Sequence, residues 1–320
     1  MIRIGLIGAA WITPMAILEP AKLLPNAEVV AIAARDPVRA RIFANEHGIA
    51  EVEETYEALL LRPDLDLVYI ALPVSLHAQW AELALTNGKH VLCEKPLVMN
   101  ARQAQHLAQV SASTGRFLIE AFHYVYHPYF KCIQQIIKSK ELGVIEEVTG
   151  RLHVPVPPKE GQIRHDPSMG GGALMDLGCY PIHMMRTLFD TAPKVVKSEM
   201  VMGASGVDLS IKAELALSDG IVGFLDCSMP ETGELLGELI IVGTEGKLHG
   251  SKPILPHLGG VLQVETAEGR RAEKSDTRST FYYQLKAVVN AIQDGEQPLI
   301  SMLDSIGNAT VLDDIRTCAN

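Results

Sequence analysis

Gly88-Lys89-His90-Val91-Leu92-Cys93-Glu94-Lys95-Pro96 is the stretch that decides the fold. Asn87-Gly88 reads as the end of a helix, and the apolar run Val91-Leu92-Cys93 as a buried strand. Glu94-Lys95-Pro96 then holds the side chains that emerge where the strand stops. In open α/β sheets that carboxyl edge is where ligands bind. An ordinary surface lysine after a strand gives the same local pattern, so the neighbouring segments must decide between the two.

Working outward, strand-like runs occur at Ile2–Ile7, Val29–Ala33, Leu67–Ala71, His90–Cys93 and Phe117–Ile119. Helical segments with legible ends separate them. Thr13-Pro14 has the form of an N-cap followed by proline at the first helical position, and Asp36-Pro37 repeats it. His47-Gly48 supplies a stop, and Pro20 predicts a kink or early end in the first helix. A further helix is expected to start near His77. Strands alternating with helices across short connections predict a parallel, doubly wound α/β Rossmann sheet that ends near Glu120.

Beyond that point the period changes. Val207–Leu215 alternates apolar and polar residues, the sign of a half-covered antiparallel strand. Ser218-Asp219-Gly220 is a hairpin turn, Ile221–Leu225 its return strand, and Glu238–Val242 and Gly260–Glu265 are further strands. Helices are expected over Pro128–Lys138, Tyr180–Leu188, Phe281–Ile292 and Met302–Ile315. The expectation is therefore two domains. Residues 1–121 form the dinucleotide-binding domain. Residues 122–320 form an α+β domain with a large, mostly antiparallel open sheet for substrate binding and oligomerisation.

Composition narrows the function classes. At 320 residues the chain is long for one core. A net charge of −10 lacks the basic footprint of a nucleic-acid binder. The five cysteines are scattered without CxxC spacing and no His/Cys/Asp group has metal spacing, so no metal is expected and a reducing compartment is. No apolar stretch is long enough to span a bilayer and the N-terminus opens directly on a strand; a cytoplasmic location is the expectation.

The turn Gly8-Ala9-Ala10-Trp11-Ile12-Thr13 occupies the place of a GxGxxG fingerprint but keeps only its first glycine. Amides at the following helix start would cradle a pyrophosphate, although a strand-turn-helix without ligand reads the same way. At the end of the second strand, where an acidic residue usually binds the ribose of NAD, the chain has Ala33-Ala34-Arg35-Asp36, with Arg39 one turn on. A missing carboxylate beside a guanidinium favours NADP over NAD, since arginine binds phosphate with a two-pronged fork. The alternative is that both arginines are solvated surface residues.

These pieces, taken in order, resemble the Gfo/Idh/MocA family of oxidoreductases over essentially the whole chain. The matching residues are Gly5–Gly8, Leu72-Pro73, His77, Gly88–Pro96, Glu120–Tyr124, His127-Pro128 and Gly170–Gly178. Within the family the chain is most similar to the dihydrodiol-dehydrogenase-like and sugar-dehydrogenase-like branches. The resemblance implies a cofactor site of Gly8, Ala10, Trp11, Ile12, Arg35, Leu72, Pro73, His77, Glu94 and Lys95. It implies Lys95, Asp176 and Tyr180 as catalytic residues, with Tyr180 at the proton-transfer position that is histidine in inositol dehydrogenases and tyrosine in glucose-fructose oxidoreductase-like members. A phenol of ordinary pKa near 10 needs a cation such as Lys95 beside it to act as a base near neutrality. Without that lysine, Tyr180 would read as a packed aromatic and Asp176 as a helix cap.

Three departures concern mainly the substrate pocket. Val125 stands where close relatives often have arginine, Gln162-Ile163-Arg164 where they have Asp-Ile-Arg, and Val74 where they have asparagine. Arg164, His123 and His183 remain as candidate substrate contacts, each with a structural alternative. The expected activity is hydride transfer between the nicotinamide of NADP (NAD possible) and a secondary alcohol or carbonyl of a sugar, cyclitol or cyclic diol. Alternatives are a transhydrogenase-like enzyme that never releases its NADP, and a non-catalytic NADP sensor. A sheet with too few helices to cover both faces predicts a homodimer or homotetramer.

Overall fold

Six short parallel strands form the first sheet of the computed structural model, which describes residues 1–319. In chain order they alternate with helices: β1 (Ile2–Ile7), α1 (Glu19–Lys22), β2 (Ala27–Ala33), α2 (Pro37–His47), β3 (Glu51–Glu53), α3 (Tyr56–Leu60), β4 (Leu67–Ile70), α4 (Val74–Thr86), β5 (His90–Cys93), α5 (Ala101–Thr114) and β6 (Leu118–Glu120). Their order across the sheet, β3-β2-β1-β4-β5-β6, is the doubly wound arrangement. Every residue of β4 and β5 is buried, which is why these strands read as continuous apolar runs.

Local signals set the helix ends. The Asp36 carboxylate accepts from the Val38 and Arg39 amides, a cap worth about 1 kcal/mol, and Gly48 closes α2 at φ 72°. Thr13 corrects the expectation of a second cap. It has helical φ and ψ and no side-chain cap bond, because the chain enters its helix through a π turn at Pro14–Leu18. Pro20 sits in the first turn of α1, which ends at Lys22, the early end that the proline predicts. The helix expected near His77 begins earlier, at Val74.

The remaining elements are α6 (Pro128–Lys138), β7 (Ile145–His153), α7 (Cys179–Phe189), β8 (Lys194–Met202), β9 (Asp208–Ala216), β10 (Val222–Ser228), β11 (Leu236–Gly243), β12 (Gly246–Ser251), β13 (Val261–Thr266), β14 (Gly269–Lys274), α8 (Thr280–Asp294) and α9 (Met302–Ala319). The strands make an eight-stranded sheet, β14-β13-β12-β11-β7-β10-β9-β8, in which only β7 and β10 pair in parallel. Gly150 of β7 faces Pro181 of α7, and a Cβ there would lie 2.5 Å from the proline ring, so glycine lets the helix lie close to the sheet. On the other face Phe224 and Ile240, on β10 and β11, flank Thr149 of β7; the two apolar side chains are only half-buried and the threonine between them is buried.

The chain divides into two compact units. One comprises Met1–His123 with Phe281–Ile306; the other comprises Tyr124–Thr280 and the stretch beginning at Gly307. Where the sequence suggested a linear division at 121/122, residues 281–306 group by contacts with the first unit. His123 illustrates this: its ring stacks on Phe281 with centroids 4.1 Å apart.

Candidate active site

In the first unit, the connections leaving β1, β2, β4 and β5 lie along one edge of the sheet and are stitched together by backbone bonds. Gly8 N donates to Ala33 O at 2.9 Å, Ala71 N to Ile7 O at 3.0 Å and Glu94 N to Ile70 O at 2.9 Å. Gly8 has φ 101°, and a Cβ there would collide with the Ala71 carbonyl. Ala71 opens the Leu72-Pro73 turn, so only glycine lets the two connections meet.

Side chains reinforce that edge. Both ring nitrogens of buried His77 are engaged, Nδ1 with Pro96 O at 2.9 Å and Nε2 with Leu72 O at 2.8 Å. The contribution of His77 is thus to clamp the Leu72 turn to the turn that carries Lys95, rather than to offer its own ring to a ligand. Burial pushes its pKa down, which keeps it neutral. Glu94 accepts from the Tyr69 hydroxyl at 2.7 Å, and Glu120 accepts from the Leu97 amide at 2.9 Å, fixing both sides of Lys95-Pro96, a cis peptide.

Arg35 is exposed at the end of β2, and Arg39 donates from Nη2 to Ala9 O at 2.8 Å, tying α2 to the glycine turn. Ala9, Trp11, Arg39, Ile42, Phe43 and Glu46 line an open groove of about 270 Å³ beside that turn. The Thr13 hydroxyl is fully buried and has no hydrogen-bond partner among the described residues. A glycine that only close backbone approach explains, an orphaned hydroxyl at a helix start and exposed guanidinium groups fit a dinucleotide with a 2′-phosphate.

In the second unit the glycine-rich segment is built for two close approaches. The Gly171 Cα lies over the Arg164 carbonyl, where a Cβ would collide, and Gly172 N donates to that same oxygen at 3.0 Å. Gly172 itself has φ 116°, and a Cβ there would strike the Asp208 carboxylate. That carboxylate accepts from Leu174 N at 2.6 Å. It thereby caps a helix that starts with a π turn at Leu174–Gly178 and continues as α7. Burial raises the Asp208 pKa to about 6, against the opposing pull of the Leu174 amide.

That helix carries Asp176 and Tyr180. Asp176 Oδ2 pairs with Arg164 Nε at 2.6 Å, so two residues assigned different roles from sequence form one ion pair. Neither Nη of Arg164 has a partner among the described residues. Tyr180 is buried, with its ring 6.1 Å from that of Tyr124, whose hydroxyl lies 2.6 Å from His183 Nδ1. Burial, and to a lesser degree Arg186, depresses the His183 pKa to about 3, leaving a neutral imidazole. His123 and His183 are 3% and 1% exposed, so neither is presented at a surface as an expected substrate contact would be. Asp208 and Tyr124 carry parts of this construction that sequence reasoning did not assign to it. Nothing in the spacing ties Asp208 to a glycine thirty-six positions earlier.

The fold and these two constructions define a dinucleotide-binding oxidoreductase. Residues 2–122 match the oxidoreductase family with an NAD-binding Rossmann fold, and residues 130–249 match the Gfo/Idh/MocA C-terminal domain. The chain is 31% identical to D-xylose 1-dehydrogenase (NADP(+)) 2 of Haloferax volcanii, over 97% of this chain and 95% of the relative. It is 28% identical to trans-1,2-dihydrobenzene-1,2-diol dehydrogenase of Xenopus tropicalis, over 90% and 88%. Its structure is similar to that of KijD10, a 3-ketoreductase from Actinomadura kijaniata in complex with NADP and TDP-benzene. There the TM-score is 0.92 and the identity 32%, with 99% of this chain and 97% of that one covered. The chain belongs to the Gfo/Idh/MocA family of NAD(P)-dependent oxidoreductases. No helix of the described residues is long and apolar enough to cross a membrane, and no group of three or more His, Cys, Asp or Glu among them could hold a metal ion.

Proposed function

We propose that the protein is an NADP-dependent oxidoreductase that interconverts a secondary alcohol or hemiacetal of a sugar, cyclitol or cyclic diol and the corresponding carbonyl. The observation that carries this reading is the single sheet edge to which Gly8, Arg35, Leu72-Pro73 and Glu94-Lys95 all belong. NADP supplies the C4 hydride acceptor or donor when bound. Amides from Ala10 to Ile12 hold the pyrophosphate, and Arg35, with Arg39 beside it, takes the 2′-phosphate.

Lys95 supplies positive charge to the reacting oxygen, and Tyr180 carries the hydroxyl proton. Asp176 orients Arg164, whose Nη groups hydrogen-bond substrate hydroxyls. His183 and Tyr124 back the tyrosine from inside the unit rather than exchanging protons with solvent, because the imidazole is neutral. The half-buried outer face of the large sheet, with Phe224 and Ile240 at its centre, is the surface through which two copies associate. Five free cysteines suit a reducing, cytoplasmic setting.

The test is a screen of aldoses, cyclitols and arene diols, followed through the absorbance of the reduced nicotinamide with NADP and NAD in parallel. Turnover with none of the three classes would overturn the reading.

A further inference from the structure

Asp208 is itself no part of the motif segments, yet two of its contacts fix the entrance to the helix that bears Asp176 and Tyr180. Its Oδ2 accepts from the Leu174 amide at 2.6 Å, and its Oδ1 occupies the space that any side chain at position 172 would need. The next link is Asp176 N, which donates to Gly172 O at 3.0 Å. From there the chain makes a π turn closed by Cys179 N on Leu174 O. A π turn is a wide, rarely populated conformation found chiefly at functional sites, and here nothing in the local sequence enforces it. The direction in which Asp176 and Tyr180 leave the helix therefore depends on where its first turn is pinned.

We propose that Asp208 is a positioning residue for the reaction: as a carboxylate it holds the Leu174 amide and lies against Gly172, and so sets the orientation of the helix that presents Asp176 and Tyr180. The proposal rests on the reading of Tyr180 as the proton-transfer group. Protonation of Asp208 turns one of its two acceptor oxygens into a donor and weakens the bond from Leu174, since the bond to an ionised acceptor is the stronger form.

The groups facing Asp208 are few. Arg316 on α9 favours the carboxylate, and Cys227 on β10, itself buried, is the other titratable neighbour. Burial outweighs the arginine and holds the carboxyl up at about 6, so the switch from pinned to released falls within the range in which an enzyme is assayed. Asp208 thereby adds an acid limit to turnover that does not come from any group touching the substrate.

The experiment uses the full chain with Asp208→Asn and Asp208→Ala. Two measurements are made: hydrogen exchange of the peptide spanning residues 170–178, corrected for the intrinsic pH dependence, and kcat against pH at saturating NADP and substrate. In the wild type, protection of that peptide should fall about tenfold as pH drops through 6, the weight of one lost cap, with kcat falling in parallel. Asparagine keeps an acceptor that does not titrate, so Asp208→Asn should retain protection across the range and lose the acid limb of the kcat profile. Asp208→Ala should exchange about tenfold faster at every pH and lose kcat, with KM for NADP unchanged.

An acid limb that persists unaltered in Asp208→Asn, together with pH-dependent exchange like that of the wild type, would overturn the proposal. Should the alanine variant not fold, the asparagine variant alone decides. Exchange requires no turnover. A wild type silent on every substrate would count against the functional reading, while the exchange result would still judge Asp208.

Discussion

Gly172→Ala adds one methyl at the point where the second unit has least room, and its cost follows from two contacts. An L-residue forced to φ 116° costs about 1–3 kcal/mol. The new Cβ also meets the Asp208 carboxylate, which cannot retreat without surrendering its 2.6 Å bond from Leu174 N; a lost cap of this kind costs about 0.5–2 kcal/mol. Together these predict roughly 1.5–5 kcal/mol of destabilisation. Gly206→Ala is the matched control. Gly206 belongs to the same unit and has φ 87°, with nothing within 4 Å of a built Cβ, so it should lose only the backbone part, about 1–2 kcal/mol. Urea unfolding followed by far-UV circular dichroism measures both variants. Tryptophan fluorescence provides an internal reference, because Trp11 and Trp80 both lie in the first unit. A Gly172→Ala protein as stable as Gly206→Ala would refute the argument that the carboxylate fills this space.

Tyr180→Phe removes the ionisable oxygen and keeps the ring against Tyr124; turnover should drop by a factor of about 10²–10⁴ with NADP affinity unchanged, and steady-state kinetics with a cofactor titration checks both. Arg35→Ala should weaken NADP by about 1.5–3 kcal/mol and leave NAD nearly unaffected, so equal losses by calorimetry would remove Arg35 from the 2′-phosphate site. His183 and His90, depressed to about 3 and about 4, take up protons more readily unfolded than folded, so their stabilisation is present above the unfolded value of about 6.5 and is lost as pH falls. Asp208, raised to about 6, works oppositely in global unfolding, where it leaves its buried site: its contribution is present below about 4 and is lost as pH rises through 6, although its local bond from Leu174 is the weaker when the carboxyl is protonated. Asp208→Asn should therefore steepen the loss of stability on acidification between pH 6 and 4, by up to about 1.4 kcal/mol per pH unit, read from urea midpoints. Phe224→Glu should convert an assembled protein to single chains in light scattering without lowering its unfolding midpoint by more than about 0.5 kcal/mol equivalent.

The parallel half of the fold was legible because burial on both faces leaves little but apolar residues in β4 and β5. Asp36 and Gly48 mark their helix with side-chain and backbone chemistry that acts locally. Elements that escaped notice are those whose pattern solvent rewrites. β3 is three residues with glutamate at both ends, and β7 carries Glu146, Glu147 and Arg151, which interrupt the apolar alternation. Thr13-Pro14 misled because a π turn satisfies the helix start without the threonine side chain. In the site, motif residues such as Lys95, Tyr180 and Glu94 stand out, whereas their supports do not. The carbonyls that hold His77 and the carboxylate that caps Leu174 come from distant positions, and only the folded chain brings them together.

The large sheet ends on two strands that differ in how they face water. β14 is almost wholly exposed and reads Gly-Arg-Arg-Ala-Glu-Lys, whereas β8 exposes Val196, Val201 and Met202 but is broken by register shifts at Val195/Lys197 and Val201/Met202. Charge on one border and bulges on the other both keep a foreign strand from docking onto the free N–H and C=O groups. A chain with so broad an open sheet would otherwise polymerise border to border into ribbons. Growth in that direction is blocked at both ends, and the β8 border depends on its irregularities more than on its side chains. Mutations that straighten β8 should therefore turn a heat-stressed sample towards fibrous precipitate, while those that neutralise Lys194 or Lys197 alone should do so far less.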